Sequence, residues 1–330
     1  MKILFIGGTG TISSASTALA AERGYDITIL NRGMNKDREV PAAVHHLYGD
    51  IRDTAAIENL LQDQRFDVVV DWISFNPEHV QNAIRLFQGR IAQYVFISSA
   101  SAYRKPLGHL PITESTLLDN PIWEYSRLKI ECEELLVKTC RETRFPYTIV
   151  RPSHTYDKTR LPIPGRFTEI DRMRRGKKVV VHGDGTSLWT LTHHKDFAKG
   201  LVGLLGDDRA IAEAFHITSD EALTWNQIYT ILARAAGVEP NIIHIPSDVI
   251  AAYDKTWGDG LLGEKAHSCI FDNTKLKRLV PDFKATIPFS LGAKEIIDWF
   301  DADPARRVIN EQFNQLLDTM IEKFAKVYPS

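Results

Sequence analysis

The 330-residue sequence predicts an α/β fold, a doubly wound parallel (Rossmann) sheet followed by a smaller C-terminal α/β substrate region. Three observations predict it. Short β-branched runs alternate with helical patterns through the first half of the chain. A glycine cluster, Gly7-Gly8-Thr9-Gly10, joins the first such run directly to a helix, and the alternation fades after Arg151-Pro152.

Taken in order, Ile3 to Ile6 is the first strand, an apolar run that glycine stops too early for a signal-peptide core. A helix follows from near Ile12. Asp26 to Leu30, Val44 to Tyr48 and Asp67 to Asp71 read as the next three strands, with helices from near Thr54 and Glu78. Tyr94 to Ser98 is the fifth strand and Tyr147 to Val150 the sixth. Between these two a helix is expected from Pro121, with Asn120 as N-cap and Pro121 at the first helical position. Beyond lie Pro162, Pro164, a basic stretch, Gly183-Asp184-Gly185 and mixed helices and short strands. Residues 1–155 are therefore expected to form a dinucleotide-binding domain and 156–330 a substrate-binding region, with a segment near 190–217 returning to the first domain.

Composition narrows the classes of function. Hydrophobic residues make up 44% of the chain and charged residues 25%, which excludes a disordered tail or a collagenous rod. The 40 basic and 42 acidic residues leave a net charge of −2, so no general field for nucleic acid or an anionic membrane is implied. Cys132, Cys140 and Cys269 have no paired spacing; neither a disulfide framework nor a zinc module is expected, and a cytoplasmic location is. No run approaches the roughly 18 apolar residues of a membrane span, so no membrane partner is expected.

The glycine cluster is the first candidate site. Backbone amides at the start of the following helix, around Gly7, Gly10, Thr11 and Ile12, can face a pyrophosphate, and a β-carbon would block its approach. The spacing is Gly7-x-x-Gly10-x-x-Ser13, with serine where a third glycine is usual. The second strand ends at Asn31-Arg32, where a carboxylate would hold a ribose 2′-hydroxyl. Neutral Asn31 and cationic Arg32 suit a 2′-phosphate better, which tilts the cofactor from NAD toward NADP. Asp50 and Ile51, after the third strand, can meet the adenine; a plain strand-end turn is the alternative.

Tyr125 and Lys129 stand at i and i+4 on one helix face. A phenol titrates ordinarily near about 10, and a neighbouring ammonium favours the phenolate, so Lys129 is expected to draw Tyr125 toward acid/base service near neutrality. Ser98-Ser99 ends the fifth strand, at the sheet edge where open parallel sheets bind their ligands.

These residues, together with Gly49-Asp50-Ile51, Phe96-Ile97-Ser98-Ser99-Ala100-Ser101-Ala102-Tyr103, Arg151-Pro152 and Gly183-Asp184-Gly185, follow one another in a familiar order. Through them the sequence resembles the extended and atypical short-chain dehydrogenase/reductase superfamily, in its NAD-dependent epimerase/dehydratase group. The resemblance implies that Tyr125 is the acid/base, Lys129 its tuner and a ligand of the nicotinamide ribose, and Ser99 the hydroxyl that orients the reacting oxygen. It also implies that Trp72, Ser98 and Pro152 border an NAD(P) cofactor while Ser74, Ser101, His154 and Trp189 face the substrate. The implied activity is hydride transfer on a sugar-like carbinol, nucleotide sugars included, as epimerisation through a transient ketone or as net oxidation or reduction. A homodimer through the helices near 80 and 125 fits the same pattern.

The sequence departs from that pattern in places. Ala100-Ser101 stands where 4,6-dehydratases carry an Asp-Glu pair, so dehydration is not expected. Trp189 falls near the arginine that usually clamps a substrate diphosphate, which puts a UDP-sugar in doubt unless Arg166 or another arginine takes the role. Asp71-Trp72-Ile73-Ser74 replaces a small apolar segment. His193-His194 has no acidic or cysteine partner at ligand spacing, so no metal is expected. Asn31-Arg32-Gly33, Phe66 to Asp71 and Gly89-Arg90 also resemble an atypical branch that includes the chloroplast stem-loop RNA-binding proteins. That supplies an alternative function, with the basic run Arg172 to Lys178 as its local support, although the net charge and the intact Ser99, Tyr125 and Lys129 weigh against a nucleic-acid partner.

Overall fold

The computed structural model describes residues 1–34 and 38–327. In chain order the first half comprises β1 (Lys2–Ile6), α1 (Ser13–Glu22), β2 (Asp26–Asn31), β3 (His45–Tyr48), α2 (Thr54–Leu60), β4 (Val68–Asp71), α3 (Pro77–Phe87), β5 (Gln93–Ile97), α4 (Glu124–Thr143) and β6 (Tyr147–Pro152). There follow β7 (His154–Tyr156), α5 (Phe167–Arg174), β8 (Val179–His182), β9 (Leu188–Trp189), β10 (Leu191–His193), α6 (His194–Leu204), β11 (Glu213–Ile217), β12 (Leu223–Thr224) and α7 (Trp225–Ala235). The chain ends with β13 (Ile242–Ile245), α8 (Ser247–Tyr253), α9 (Lys255–Gly260), a π-helical turn (Leu261–Lys265), α10 (Thr274–Leu279), α11 (Phe289–Asp301) and α12 (Glu311–Val327).

Seven strands form one sheet in the order β11-β6-β5-β4-β1-β2-β3, and every pairing is parallel. Parallel strands joined by helices are covered on both faces, so their sequences run continuously apolar. Alternate residues then serve opposite layers. Ile3, Phe5, Val68 and Val70 pack with Phe197 and Leu201 of α6, while Leu4, Ile6 and Val69 pack with Val80 and Ile84 of α3 and Leu136 of α4. This is the expected doubly wound sheet. β11 comes from the second half of the chain yet pairs with β6, and α6 packs against α1.

The remaining residues build smaller pairs, β7 with β10, β8 with β13 and β9 with β12. Beside them Tyr156, Ile170, Trp189, Trp225 and Phe289 share one core, and Ile250, Leu317 and Met320 join a second beneath α8 and α12.

Two helix starts differ from expectation for a local reason. α3 begins at Pro77 because Asn76 Oδ1 accepts from His79 N, so Asn76 and Pro77 are its cap and first residue. α4 begins at Glu124 rather than Pro121. Asn120 Oδ1 accepts from Ile122 N and Trp123 N, which caps a separate turn ahead of the helix. Its Nδ2 donates to Ser101 O and Gly263 O, so Asn120 ties three segments together beside the site. Among the described residues no helix is long and apolar enough to cross a membrane.

Candidate active site

The carboxyl ends of β1, β2, β4, β5 and β6 open onto a groove of about 500 Å³. Its floor is the glycine turn. Gly7 (φ 111°) and Gly8 (φ 87°) hold backbone conformations that favour glycine. A β-carbon on Gly7 would also stand 3.2 Å from Trp72 Cβ, and one on Gly8 2.9 Å from Ile29 Cγ1. Gly10 N donates to Ser13 Oγ at 2.7 Å, so the serine in the third glycine's place closes the turn. Ile12 offers α1 no side-chain cap, and the positive end of that helix faces the groove. At the other end, Asn31 Oδ1 accepts from Gly33 N at 2.8 Å. Arg32 is 65% exposed, with its guanidinium 3.7 Å from Asp50, which also faces Arg52.

The groove ends at Tyr125 and Lys129. Lys129 is fully buried and donates from Nζ to Ser74 O at 2.6 Å and Ile97 O at 2.7 Å, with the Phe96 and Phe75 rings beside it. Burial lowers its ammonium to about 8. Two of its three N–H groups are thereby used. Burial pushes the Tyr125 phenol up to about 12, while a hydrogen bond with Ser99 and the Arg160 guanidinium draw it down and the Glu264 carboxylate adds to the rise. Lys129 is not among the main influences on Tyr125, although its Nζ lies 5.9 Å from that ring. The expected tuning is therefore reversed here. The ammonium is turned to two carbonyls, burial dominates, and Tyr125 holds its proton at neutral pH.

A chain of hydroxyls orients Ser99. Ser126 Oγ donates to Ser101 Oγ at 2.8 Å, and Ser101 Oγ lies 2.8 Å from Ser99 Oγ. Ser99 Oγ also accepts from Ser101 N at 3.1 Å. The Ser99 hydroxyl also bonds the Tyr125 phenol.

Across from Tyr125, the Trp123 ring lies 5.2 Å away, and Lys265 Nζ sits over Trp123 at 5.1 Å and over Trp189 at 5.6 Å. Lys265 Nζ pairs with Glu264 at 3.2 Å. The Lys265 carbonyl accepts from His182 Nε2, Ser187 Oγ and Trp225 Nε1, which fixes the π-helical turn that carries both charges. Trp189 Nε1 donates to His154 Nδ1 at 3.4 Å, leaving the proton of that imidazole on Nε2. Burial, reinforced by Lys265 and Arg160, keeps His154 neutral.

Every residue expected to meet the cofactor lines the one groove: Gly7, Gly10, Thr11, Ile12, Asn31, Arg32, Asp50, Ile51, Trp72, Ser98, Tyr125, Lys129 and Pro152. The residues expected to face a substrate divide differently. Ser74 is buried and spends its hydroxyl on Asp71 Oδ2 at 2.7 Å. Ser101 is the buried middle of the hydroxyl chain. Trp189 is 2% exposed, tilted against Trp225 and covered by Lys265, so the group it presents toward the site is that ammonium rather than its own ring. These three support the site from behind; His154 stays half-buried beside it. Lys265, Glu264, Trp123 and Arg160 were not singled out by the sequence. They come from a distant turn, a helix cap and a loop, and no spacing rule joins them to Tyr125.

His193 Nε2 pairs with Glu295 at 3.0 Å, and among the described residues no group of three His, Cys, Asp or Glu side chains is placed to hold a metal. Arg166 is the strained residue before α5, at φ 52°. The basic run at α5 is largely neutralised: Arg172 is buried against Asn314 and Asp318, Arg174 pairs with Asp301, Arg175 with Asp171 and Lys177 with Asp318.

Comparison with known proteins agrees with this architecture. Residues 3–217 match the model of the NAD dependent epimerase/dehydratase family. The chain is 27% identical over 257 residues to the chloroplast stem-loop binding protein of 41 kDa b from Arabidopsis thaliana, an alignment covering 74% of this chain and 65% of that protein, just under two thirds of its length. It is 25% identical over 289 residues to the 2'-dehydrokanamycin reductase of Streptomyces kanamyceticus, covering 86% of this chain and 80% of that one. The fold is similar to that of the UDP-glucuronic acid 4-epimerase from Bacillus cereus solved with UDP-glucuronic acid and NAD, with a TM-score of 0.74 at 20% identity over 92% of this chain and 99% of that one. With the parallel sheet, the glycine turn and the groove at its carboxyl edge, the matched region makes this chain a member of the NAD dependent epimerase/dehydratase family.

Proposed function

We propose that the protein is an NAD(P)-dependent epimerase or oxidoreductase that acts by hydride transfer on a sugar-like carbinol. The observation that carries this reading is the meeting of the Ser99 hydroxyl, the half-buried Tyr125 phenol and the buried Lys129 ammonium beside a glycine-floored groove. The groove fits a dinucleotide: Gly7 and Gly8 leave room that a β-carbon would fill, α1 offers an uncapped N-terminus, and Lys129 keeps one N–H group for a ribose hydroxyl. A bound nicotinamide supplies the hydride acceptor or donor. The protein's own residues do the rest. Ser99 donates to the reacting oxygen and holds it in line, and Tyr125 exchanges the hydroxyl proton. With its phenol held protonated, Tyr125 is set to act as the acid in ketone reduction; in the other direction the phenol must first give up its proton to solvent before the phenolate can accept the proton of the substrate hydroxyl.

NADP is the favoured cofactor because Arg32 is exposed and no carboxylate occupies the position of Asn31. Ala100 and Ser101 offer no second acid for elimination, which favours epimerisation or redox over dehydration. The relatives' names, UDP-glucose 4-epimerase and 2'-dehydrokanamycin reductase, both denote reactions on sugar compounds and support that substrate class. The reading includes a cytoplasmic location and a homodimer through α3 and α4. The test is Tyr125→Phe: NADPH binding should stay within about two-fold of wild type while turnover of a ligand identified by mass spectrometry of the purified protein is abolished. Retained turnover sinks the assignment, and a change in nicotinamide absorbance separates net redox from epimerisation.

A further inference from the structure

Arg38 belongs to none of the motifs above, yet its side chain is only 14% exposed and joins three distant parts of the chain. Nε donates to Asp157 Oδ2 at 2.7 Å, and Nη2 donates to Thr159 Oγ1 at 2.5 Å and to Thr11 Oγ1 at 3.1 Å. Asp157 in turn accepts from Thr159 N and Oγ1. Burial alone would raise the Asp157 carboxyl, but the bonds from Arg38 and Thr159 outweigh it and hold the group below its ordinary range. Half-buried His194 faces both members of the pair and is held neutral mainly by its burial.

Desolvating a guanidinium and a carboxylate costs about as much as their attraction returns, so such a pair is a poor stabilising device. Its position is more telling. Thr11 lines the groove as part of the glycine turn at the anion-attracting end of α1, and buried Asp157 follows in sequence from Pro152, which lines the groove too. The Arg38 guanidinium therefore meets the groove's lining at Thr11. A guanidinium has five N–H groups, more than these three bonds use, in a planar fork suited to phosphate oxygens.

We infer that Arg38 is a diphosphate-binding residue of the cofactor groove, positioned by Asp157 and Thr159 beside Thr11 to meet the anionic bridge of a dinucleotide. The inference rests on the reading of the groove as an NAD(P) site. The test is calorimetric titration of the full-length protein with NADH, NADPH and ADP-ribose at low and high salt. It compares wild type, Arg38→Met, Arg38→Lys and Asp157→Asn, with Tm measured without ligand. Arg38→Met should weaken NADH and ADP-ribose alike by roughly ten-fold to a hundred-fold and flatten the salt dependence. Arg38→Lys should recover part of the loss, and Asp157→Asn, which keeps the charge but frees its anchor, should show a smaller loss on the same ligands. Affinity within two-fold of wild type in Arg38→Met, with or without a lower Tm, overturns the inference by reducing Arg38 to a structural tie. A loss confined to NADPH also overturns it, because Arg38 would then read the 2′-phosphate. If Arg38→Met does not fold, unchanged NADH affinity in Arg38→Lys decides against it. A wild-type protein that binds none of the three ligands refutes the reading of the groove instead.

Discussion

Lys129 carries an unusual share of the site's electrostatics, because an ammonium that ordinarily titrates near 10.5 is lowered to about 8 by burial. Under the proposed role it must be charged to hold a ribose hydroxyl, so NADPH affinity should fall as pH rises through about 8, while Lys129→Met should bind weakly with little pH dependence; fluorescence titration between pH 6.5 and 9.5 checks both. Ser101 is tested separately from the reacting groups. Removing its hydroxyl breaks the chain from Ser126 to Ser99, so Ser101→Ala should lower kcat by about ten-fold and leave cofactor affinity unchanged, as steady-state kinetics beside an NADPH titration would show. Ser99, Tyr125 and Lys129 were legible in the sequence because the strand end and the helical repeat bring them together through short-range geometry. The direction of the Tyr125 shift was not, since it depends on how deeply Tyr125 is buried and on which way the Lys129 ammonium turns. Nor were Glu264 and Lys265, whose approach depends on three donors converging on one carbonyl.

Among the elements, six of the seven strands of the main sheet were legible from β-branched runs and the glycine turn, with ends displaced by a residue or two. The start of α4 was not, because Asn120 answers to Ser101 and Gly263, partners that no local pattern announces. The same contact gives the π-helical turn its seat. A β-carbon on Gly263 would stand 2.8 Å from Trp123 Cβ, so no side chain fits where the turn meets the entry to α4. Gly263→Ala should destabilise the protein by about 1–3 kcal/mol in urea unfolding, and it should raise KM more than it lowers kcat because it moves Glu264 and Lys265 away from Tyr125. Trp189 shows the limit of reading an element by its residue type: the resemblance sets it facing a substrate, but Lys265 covers the ring, which joins the core with Trp225.

For the molecule as a whole, two buried acids have opposite consequences. Glu133 is bonded to Arg151 and Ser98, so Glu133→Gln should cost about 3–5 kcal/mol by leaving the guanidinium uncompensated, measured as a lowered midpoint in denaturant. Glu169 has neither carboxyl oxygen bonded, and burial raises it to about 8 from an ordinary 4.5, against a smaller opposing pull from Arg172. Between those values the folded chain keeps a proton that the unfolded chain has lost, so stability declines as pH rises from 4.5 through 8. Glu169→Gln should therefore raise Tm at pH 9 and leave it nearly unchanged at pH 4.5 in thermal scans. The fold class was readable from the alternation of strands and helices, but the return of β11 to the main sheet was readable only as a broad segment, since its pairing is long-range. That return also sets an order of synthesis. Until the ribosome has released residue 217, the outer edge of β6 has no neighbour to satisfy its backbone, and during that interval the nascent chain displays an apolar strand open to intermolecular pairing.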